Sequence, residues 1–247
     1  MMNKEDLIRM VNDTLEKCNG KYDWMISDAV NVFYDEKYFK VDVIKKFTSN
    51  IKVNMLKKTT VDAIIENSDK VYAVLNFASA KHPGGGVLKG TVAQEEALAR
   101  ASSLYPVIKN CDEFYTTTYS SYYTDKIIYS KPIYVFKNDY GQDVEPVECD
   151  VITCAAPNYS FCNFNLGVHM KVMTERFTKV LMSAIANNRR NLILGAWGCG
   201  VFSNPADINA KIFLDVLNNY SSFFDEVIFA IPDNKNFEIF KEVFEKS

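Results

Sequence analysis

Residues 81–105 read KHPGGGVLKGTVAQEEALARASSLY. The run before them, VYAVLNFA (71–78), is apolar with β-branched and aromatic residues, the pattern of a strand buried on both faces. After them, Ala97, Leu98, Ala101, Leu104 and Tyr105 repeat at helical spacing, and Gln94 falls on the same stripe. The stretch therefore predicts a strand, a loop at Gly84, Gly85 and Gly86, and a helix N-terminus bearing Glu95 and Glu96. Three glycines alone would mark only a turn. Their flanks make them the hinge of an α/β unit.

Working outward, the same alternation recurs. Leu7, Ile8, Val11, Leu15 and Cys18 share one face of a helix over 4–18, closed by Asn19-Gly20. A strand is expected at 51–55 and a short helix at 61–66, capped by Thr59-Thr60. Segment 114–123 (FYTTTYSSYY) lacks periodicity and reads as packed surface. Short strands at 127–129 and 133–136 flank Lys131-Pro132, and 137–147 reads as a turn-rich loop. A buried strand at 149–156 precedes a helix over 166–187, with Val168, Val172, Phe177, Val180, Leu181 and Ile185 as its core contacts. Strand 191–194, helix 206–220, strand 225–231 and helix 236–246 complete the chain. This predicts a three-layer α/β/α sandwich with a mixed, largely parallel sheet. Residues 1–55 are expected as an N-terminal helical extension packed on the same domain, which spans 56–247.

Bulk properties narrow the function. The 247 residues suffice for a full core, and a net charge of −3 gives no support for direct DNA binding or for an anionic membrane surface. The charged N-terminus MMNKEDLIRM does not read as a signal peptide, no apolar run approaches a membrane span, and six cysteines form no C-x-x-C pair. The expected compartment is the cytoplasm, with reduced thiols. His82 and His169 are the only histidines, so zinc motifs and a histidine triad fit poorly. Neither metal nor cofactor is expected, and chemistry falls to carboxylates, backbone amides and bound ligand.

Ligands of open α/β sheets lie beyond the C-terminal strand ends. Two glycine-rich loops leave strands there, Gly84–Gly86 and Gly195-Ala196-Trp197-Gly198-Cys199-Gly200. Each leads to a helix whose free N–H groups can hold phosphate. The second is G-x-x-G-x-G, which is not the dinucleotide fingerprint. Each site residue also has a purely structural reading. Thr91 and Gln94 form a capping-box pattern, acids in a first turn suit the helix dipole, and Glu96 can pair with Arg100. Adjacent Glu95 and Glu96 diverge by about 100° on a helix, so they need not share a role. A helix N-terminus lowers a carboxyl pKa, so a general acid here needs burial to raise it. Asn76 and Ser79, at the strand end, can hold ribose hydroxyls or cap the loop. Trp197 reads as core, Phe202 as core or as a face for a sugar or base. Cys199 reads as a packed or a reactive thiol.

Taken together, these residues resemble the microbial type of poly(ADP-ribose) glycohydrolase, a macrodomain-fold family whose signature is G-G-G, a short spacer and Q-E-E. Here seven residues separate Gly86 from Gln94. The likeness extends through VLNFASAKHPGGG, ALARASSLYP, SKPIYVFKNDYG, VITCAAPN and LILGAWGCGVFSNP, from about Thr59 to the C-terminus. One departure is Ser79, where animal members carry Asn. The resemblance implies an ADP-ribose pocket and exo-acting hydrolysis of the ribose–ribose O-glycosidic bond of poly(ADP-ribose). Glu96 would be the general acid and then the base, with Glu95 positioning ribose hydroxyls. Gly84, Gly85 and Gly86 would lie against the diphosphate and distal ribose, and Gly198, Cys199, Gly200, Val201 and Phe202 would form a second diphosphate loop. Asn76, Ser79 and Gln94 complete the implied binding set. The partner would be poly(ADP-ribose) or an ADP-ribosylated protein, and the product ADP-ribose. Two other readings stay open: hydrolysis of mono-ADP-ribose from modified proteins, and a non-catalytic ADP-ribose-binding macrodomain.

Overall fold

The computed structural model describes residues 2–35, 51–115, 122–161 and 165–246. Seven strands form one sheet: β1 (Val30–Tyr34), β2 (Lys52–Leu56), β3 (Ala73–Phe77), β4 (Ile127–Lys137), β5 (Asp143–Cys154), β6 (Asn191–Leu194) and β7 (Glu226–Ala230). Their order is β1-β4-β5-β3-β6-β7-β2. β3 pairs in parallel with β5 and β6, and β7 runs parallel between β6 and β2. β4 lies antiparallel to β5 and carries β1 antiparallel at the edge. The mixed, largely parallel sheet expected from the alternating elements is present.

Strand periodicity sends alternate residues to opposite faces. Ala73 and Leu75 of β3 enter one apolar cluster, with Phe177, Trp197, Phe213 and Phe240, while Val74 enters the other, with Ile64, Leu98 and Leu104. The first cluster is covered by α6 (Leu166–Ala186), α7 (Ala206–Tyr220) and α8 (Asn234–Glu245). The second lies beneath α3 (Thr60–Glu66), α4 (Gln94–Ala101) and α5 (Leu104–Ile108). The result is the α/β/α sandwich. Among the described residues no helix is long and apolar enough to cross a membrane.

Helix α1 (Lys4–Asn19) begins at a capping box between Asn3 and Asp6 and buries Leu7, Met10, Val11, Thr14 and Cys18. Its Val11 clusters with Val87 and Ala99, so the helix packs directly behind the first glycine loop. The short helix α2 (Asp23–Ser27) follows.

Several local expectations change. The short strands at 127–129 and 133–136 are one strand, β4, with a register shift between Ser130 and Ile133 around a cis Lys131–Pro132 bond. The expected loop over 137–147 shrinks to a turn, because the Oδ1 of Asn138 accepts from the N–H groups of Tyr140 and Gln142, and β5 starts at Asp143. The helix expected through Tyr105 stops at Ala101. Ser102 adopts extended backbone and its hydroxyl caps Leu98 O, after which α5 restarts at Leu104. Val168 is exposed, and α6 buries Met173 and Ala184 instead, beside Phe177, Val180 and Leu181. β1 was not anticipated. Most of the 114–123 segment lies outside the described residues.

Candidate active site

β5, β3 and β6 are neighbours and parallel, so the loops after them emerge at one edge of the sheet. The first residue of α4 ties the helix to β3. Gln94 accepts from Phe77 N–H at 2.9 Å through Oε1, and its Nε2 donates to Leu75 O at 2.9 Å and to Thr60 Oγ1 at 3.2 Å. This fixes the helix N-terminus against the end of the strand. The expected capping box is absent, because the N-cap is Ala93 and no side chain caps it. Thr91 Oγ1 instead packs over Gly86, in the space a Cβ there would need.

Gly84 and Gly85 have φ of 63° and 60°, backbone that favours glycine. The curled loop turns its amides towards the two acids. Gly86 N–H donates to Glu96 Oε1 at 2.9 Å. A Cβ on Gly85 would lie 2.5 Å from that same oxygen and 3.1 Å from Glu95 Oε2. The two carboxyls, divergent on an isolated helix, thus converge on one glycine.

Their surroundings differ. Glu95 is 2 % exposed, and it accepts from Ser79 N–H at 2.7 Å and from Asn76 Nδ2 at 3.2 Å. Burial pushes its carboxyl up to about 8, with the charge of Glu96 adding and the two hydrogen bonds opposing. Glu96 is 6 % exposed and is held by the loop amide, not by the expected pairing with Arg100. Asn76 is fully buried, with Nδ2 also near Thr153 Oγ1 and Oδ1 without a partner among the described residues. Ser79 realises the cap reading, since its Oγ accepts from the N–H groups of Lys81 and His82.

The second loop follows β6. Gly195 admits no side chain, because a Cβ would lie 2.7 Å from Ala230 O. Gly198 has φ of 79°, and a Cβ would meet Asn204 Nδ2 at 2.6 Å and Ala156 Cβ at 2.9 Å. Asn204 clamps this loop to the one after β5, donating at 2.8 Å to both Gly198 O and Pro157 O. Asn209 donates to Trp197 O at 3.0 Å and faces His169 Nε2 through Oδ1 at 3.1 Å. Gly200 stands in open space and Val201 is exposed. Trp197 is core, as expected. Cys199 is half-buried, with its thiol pushed up to about 12 by desolvation, which favours its packing reading. Phe202 is half-buried against Tyr123, with ring centroids 5.9 Å apart.

Asn204, Asn209 and Tyr123 receive no role from the sequence pattern, and Arg100 appears there only as a partner for Glu96. Only Asn204 carries a sequence signal, the Asn-Pro step closing the second loop. The others meet the loops only through tertiary packing.

A sandwich of this topology, with two glycine loops at one strand edge, defines a macrodomain-like α/β class. The family model for the microbial-type PARG catalytic domain matches residues 14–138, and the chain belongs to that family. Solved structures match over 92–97 % of this chain. The poly(ADP-ribose) glycohydrolase of Thermomonospora curvata bound to the inhibitor ADP-HPD is 28 % identical, with a TM-score of 0.85 over 96 % of this chain and 99 % of that one. Another structure of the same T. curvata enzyme superposes with a TM-score of 0.87 at 27 % identity, covering 97 % and 100 %. The Deinococcus radiodurans enzyme in complex with ADP-ribose is 30 % identical, with a TM-score of 0.83 over 92 % and 98 %. A search of curated proteins finds no match.

Proposed function

We propose that this protein is a poly(ADP-ribose) glycohydrolase that cleaves the terminal ribose–ribose O-glycosidic bond and releases ADP-ribose. The observation that carries the reading is the convergence of Glu95 and Glu96 on Gly85, in a chain of the microbial-type PARG family. Glu96 is the general acid. It gives its proton to the leaving ribose oxygen as the glycosidic C–O bond breaks, then takes a proton from the water that attacks the anomeric carbon. The ligand's own diphosphate stabilises the oxocarbenium-like charge, so a second, separated carboxylate is not required.

Glu95 orients the ribose hydroxyls beside Glu96. Its raised pKa leaves it protonated at neutral pH, able to donate to a hydroxyl while Ser79 N–H and Asn76 fix its position. Gly84, Gly85 and Gly86 lie against the diphosphate and distal ribose. Gly198, Cys199, Gly200, Val201 and Phe202 enclose the other side of the diphosphate, with Phe202 presenting a ring face. Gln94, Asn76 and Ser79 serve by holding this frame. Residues 56–247 carry the site, with α1 packed behind its first glycine loop.

Incubation of the purified protein with labelled poly(ADP-ribose) tests the reading. ADP-ribose should be released, and Glu96→Gln should lower turnover by about 10²–10⁴-fold, the usual contribution of a positioned acid–base group. ADP-ribose binding by calorimetry should survive the substitution. An unimpaired Glu96→Gln variant would overturn the assignment.

A further inference from the structure

We infer that Arg100 is a positioning residue, whose guanidinium holds the far end of the first glycine loop so that Gly86 stays on Glu96. Arg100 is 3 % exposed, and among the described residues no carboxylate pairs directly with it. Its Nη1 donates to Thr91 O at 2.7 Å. Thr91 in turn donates its N–H to Gly86 O at 3.2 Å and lays its hydroxyl over the Gly86 Cα. Gly86 N–H reaches Glu96 Oε1 at 2.9 Å, and Glu96 sits one helical turn before Arg100. The contacts close a circuit from α4 through the loop and back to α4. Thr14 of α1 fastens it from behind, donating to Arg100 O at 2.5 Å.

An unpaired buried cation is costly, and an apolar side chain could fill the same space. What the guanidinium adds is a charge-assisted hydrogen bond to one fixed carbonyl and a positive field near Glu96 and Asp139. Both act on the position of the loop and of the Glu96 carboxylate. No other described side chain bonds to Thr91 O.

This inference rests on the role given to Glu96, so its test includes a readout independent of turnover. Wild type, Arg100→Met and Arg100→Lys are compared by kcat and KM on poly(ADP-ribose), by ADP-ribose Kd, and by amide exchange at Gly85 and Gly86. Arg100→Met should lower kcat by about 10- to 100-fold with Kd changed less than about fivefold, and should speed Gly85–Gly86 exchange about tenfold. Arg100→Lys, which keeps a charged donor, should restore both to within about fivefold. Unchanged kcat and exchange in Arg100→Met overturns the inference, as does a Lys variant impaired as much as the Met variant. Should Arg100→Met fail to fold, replacing exposed Val92 by its α-hydroxy analogue weakens the Thr91 carbonyl as an acceptor and leaves every side chain in place. A fall in kcat of about three- to tenfold is then expected, and an unchanged kcat overturns it. Should wild type release no ADP-ribose, the glycohydrolase reading fails, while the exchange comparison still decides the role of Arg100.

Discussion

Gly86 donates its main-chain N–H to Oε1 of Glu96 at 2.9 Å, across the loop that separates strand β3 from helix α4. That bond leaves one carboxylate oxygen committed to the protein. It also explains the glycine at position 85, because the oxygen so held occupies the space where any side chain there would project.

Gly85→Ala should therefore be more damaging than a loop substitution ordinarily is. The left-handed backbone costs about 1–2 kcal/mol for a residue with a Cβ. The new methyl also meets the Glu96 carboxylate at 2.5 Å and must displace it. Expected are a loss of turnover comparable to Glu96→Gln and a lower Tm. Near-normal kcat would show that the loop and the acid are not in register.

Glu95 makes stability depend on pH in a defined direction. Its carboxyl rises from 4.5 to about 8 on burial, so the folded state keeps a proton that the unfolded chain releases. The stability this contributes is complete below about pH 4.5 and is lost as pH rises through about 8. Denaturation curves of wild type should weaken across that window relative to Glu95→Gln, by an amount of order a few kcal/mol. Parallel curves for the two proteins would place the raised carboxyl elsewhere.

Asn204→Ala removes one amide that serves two loops, at Pro157 O and Gly198 O. Pro157 O is then left unpaired, while Gly198 O keeps the main-chain N–H of residue 204 at 3.0 Å, so the variant should lose about 1–3 kcal/mol of stability. ADP-ribose affinity should fall about tenfold as the second loop loosens, with kcat at saturating polymer reduced far less. Loss confined to kcat, with affinity intact, would contradict a binding role for that loop.

Cys199 should be chemically quiet despite its place in the loop. The residue is half-buried, its thiol is pushed up to about 12 by desolvation, and Asn209 Nδ2 lies 3.6 Å from the sulfur. Alkylation of the native protein near pH 8, followed by mass spectrometry, should leave it unmodified over times that label it fully in denaturant. Rapid native labelling would mean a loop more open than this packing allows.

Much of this protein was legible from residues alone. β3, β6, β7 and the second half of β5 (149–154) are buried on both faces, so each appears as an apolar run, and the helices between them repeat at 3.6 residues. β1 did not show itself, because VNVFY is a half-exposed edge strand whose identity comes from pairing with β4. β4 looked like two strands because Lys131-Pro132 interrupts it, yet pairing with β5 resumes at Ile133. Thr91 looked like a cap, but packing against Gly86 claimed its hydroxyl.

Local sequence determined the strand, the glycine hinge and the helix start that delivers two acids to one sheet edge, since each depends on neighbours a few residues away. Only the tertiary structure decided what those acids become. Glu95 acquires its raised pKa from burial, against the hydrogen bonds from Ser79 and Asn76 that fix its position, and Glu96 acquires its position from Gly86. Arg100 and Thr14, from two different helices, join at the back of that arrangement. Burial and convergence are properties of packed elements far apart in the chain, and no local spacing encodes them.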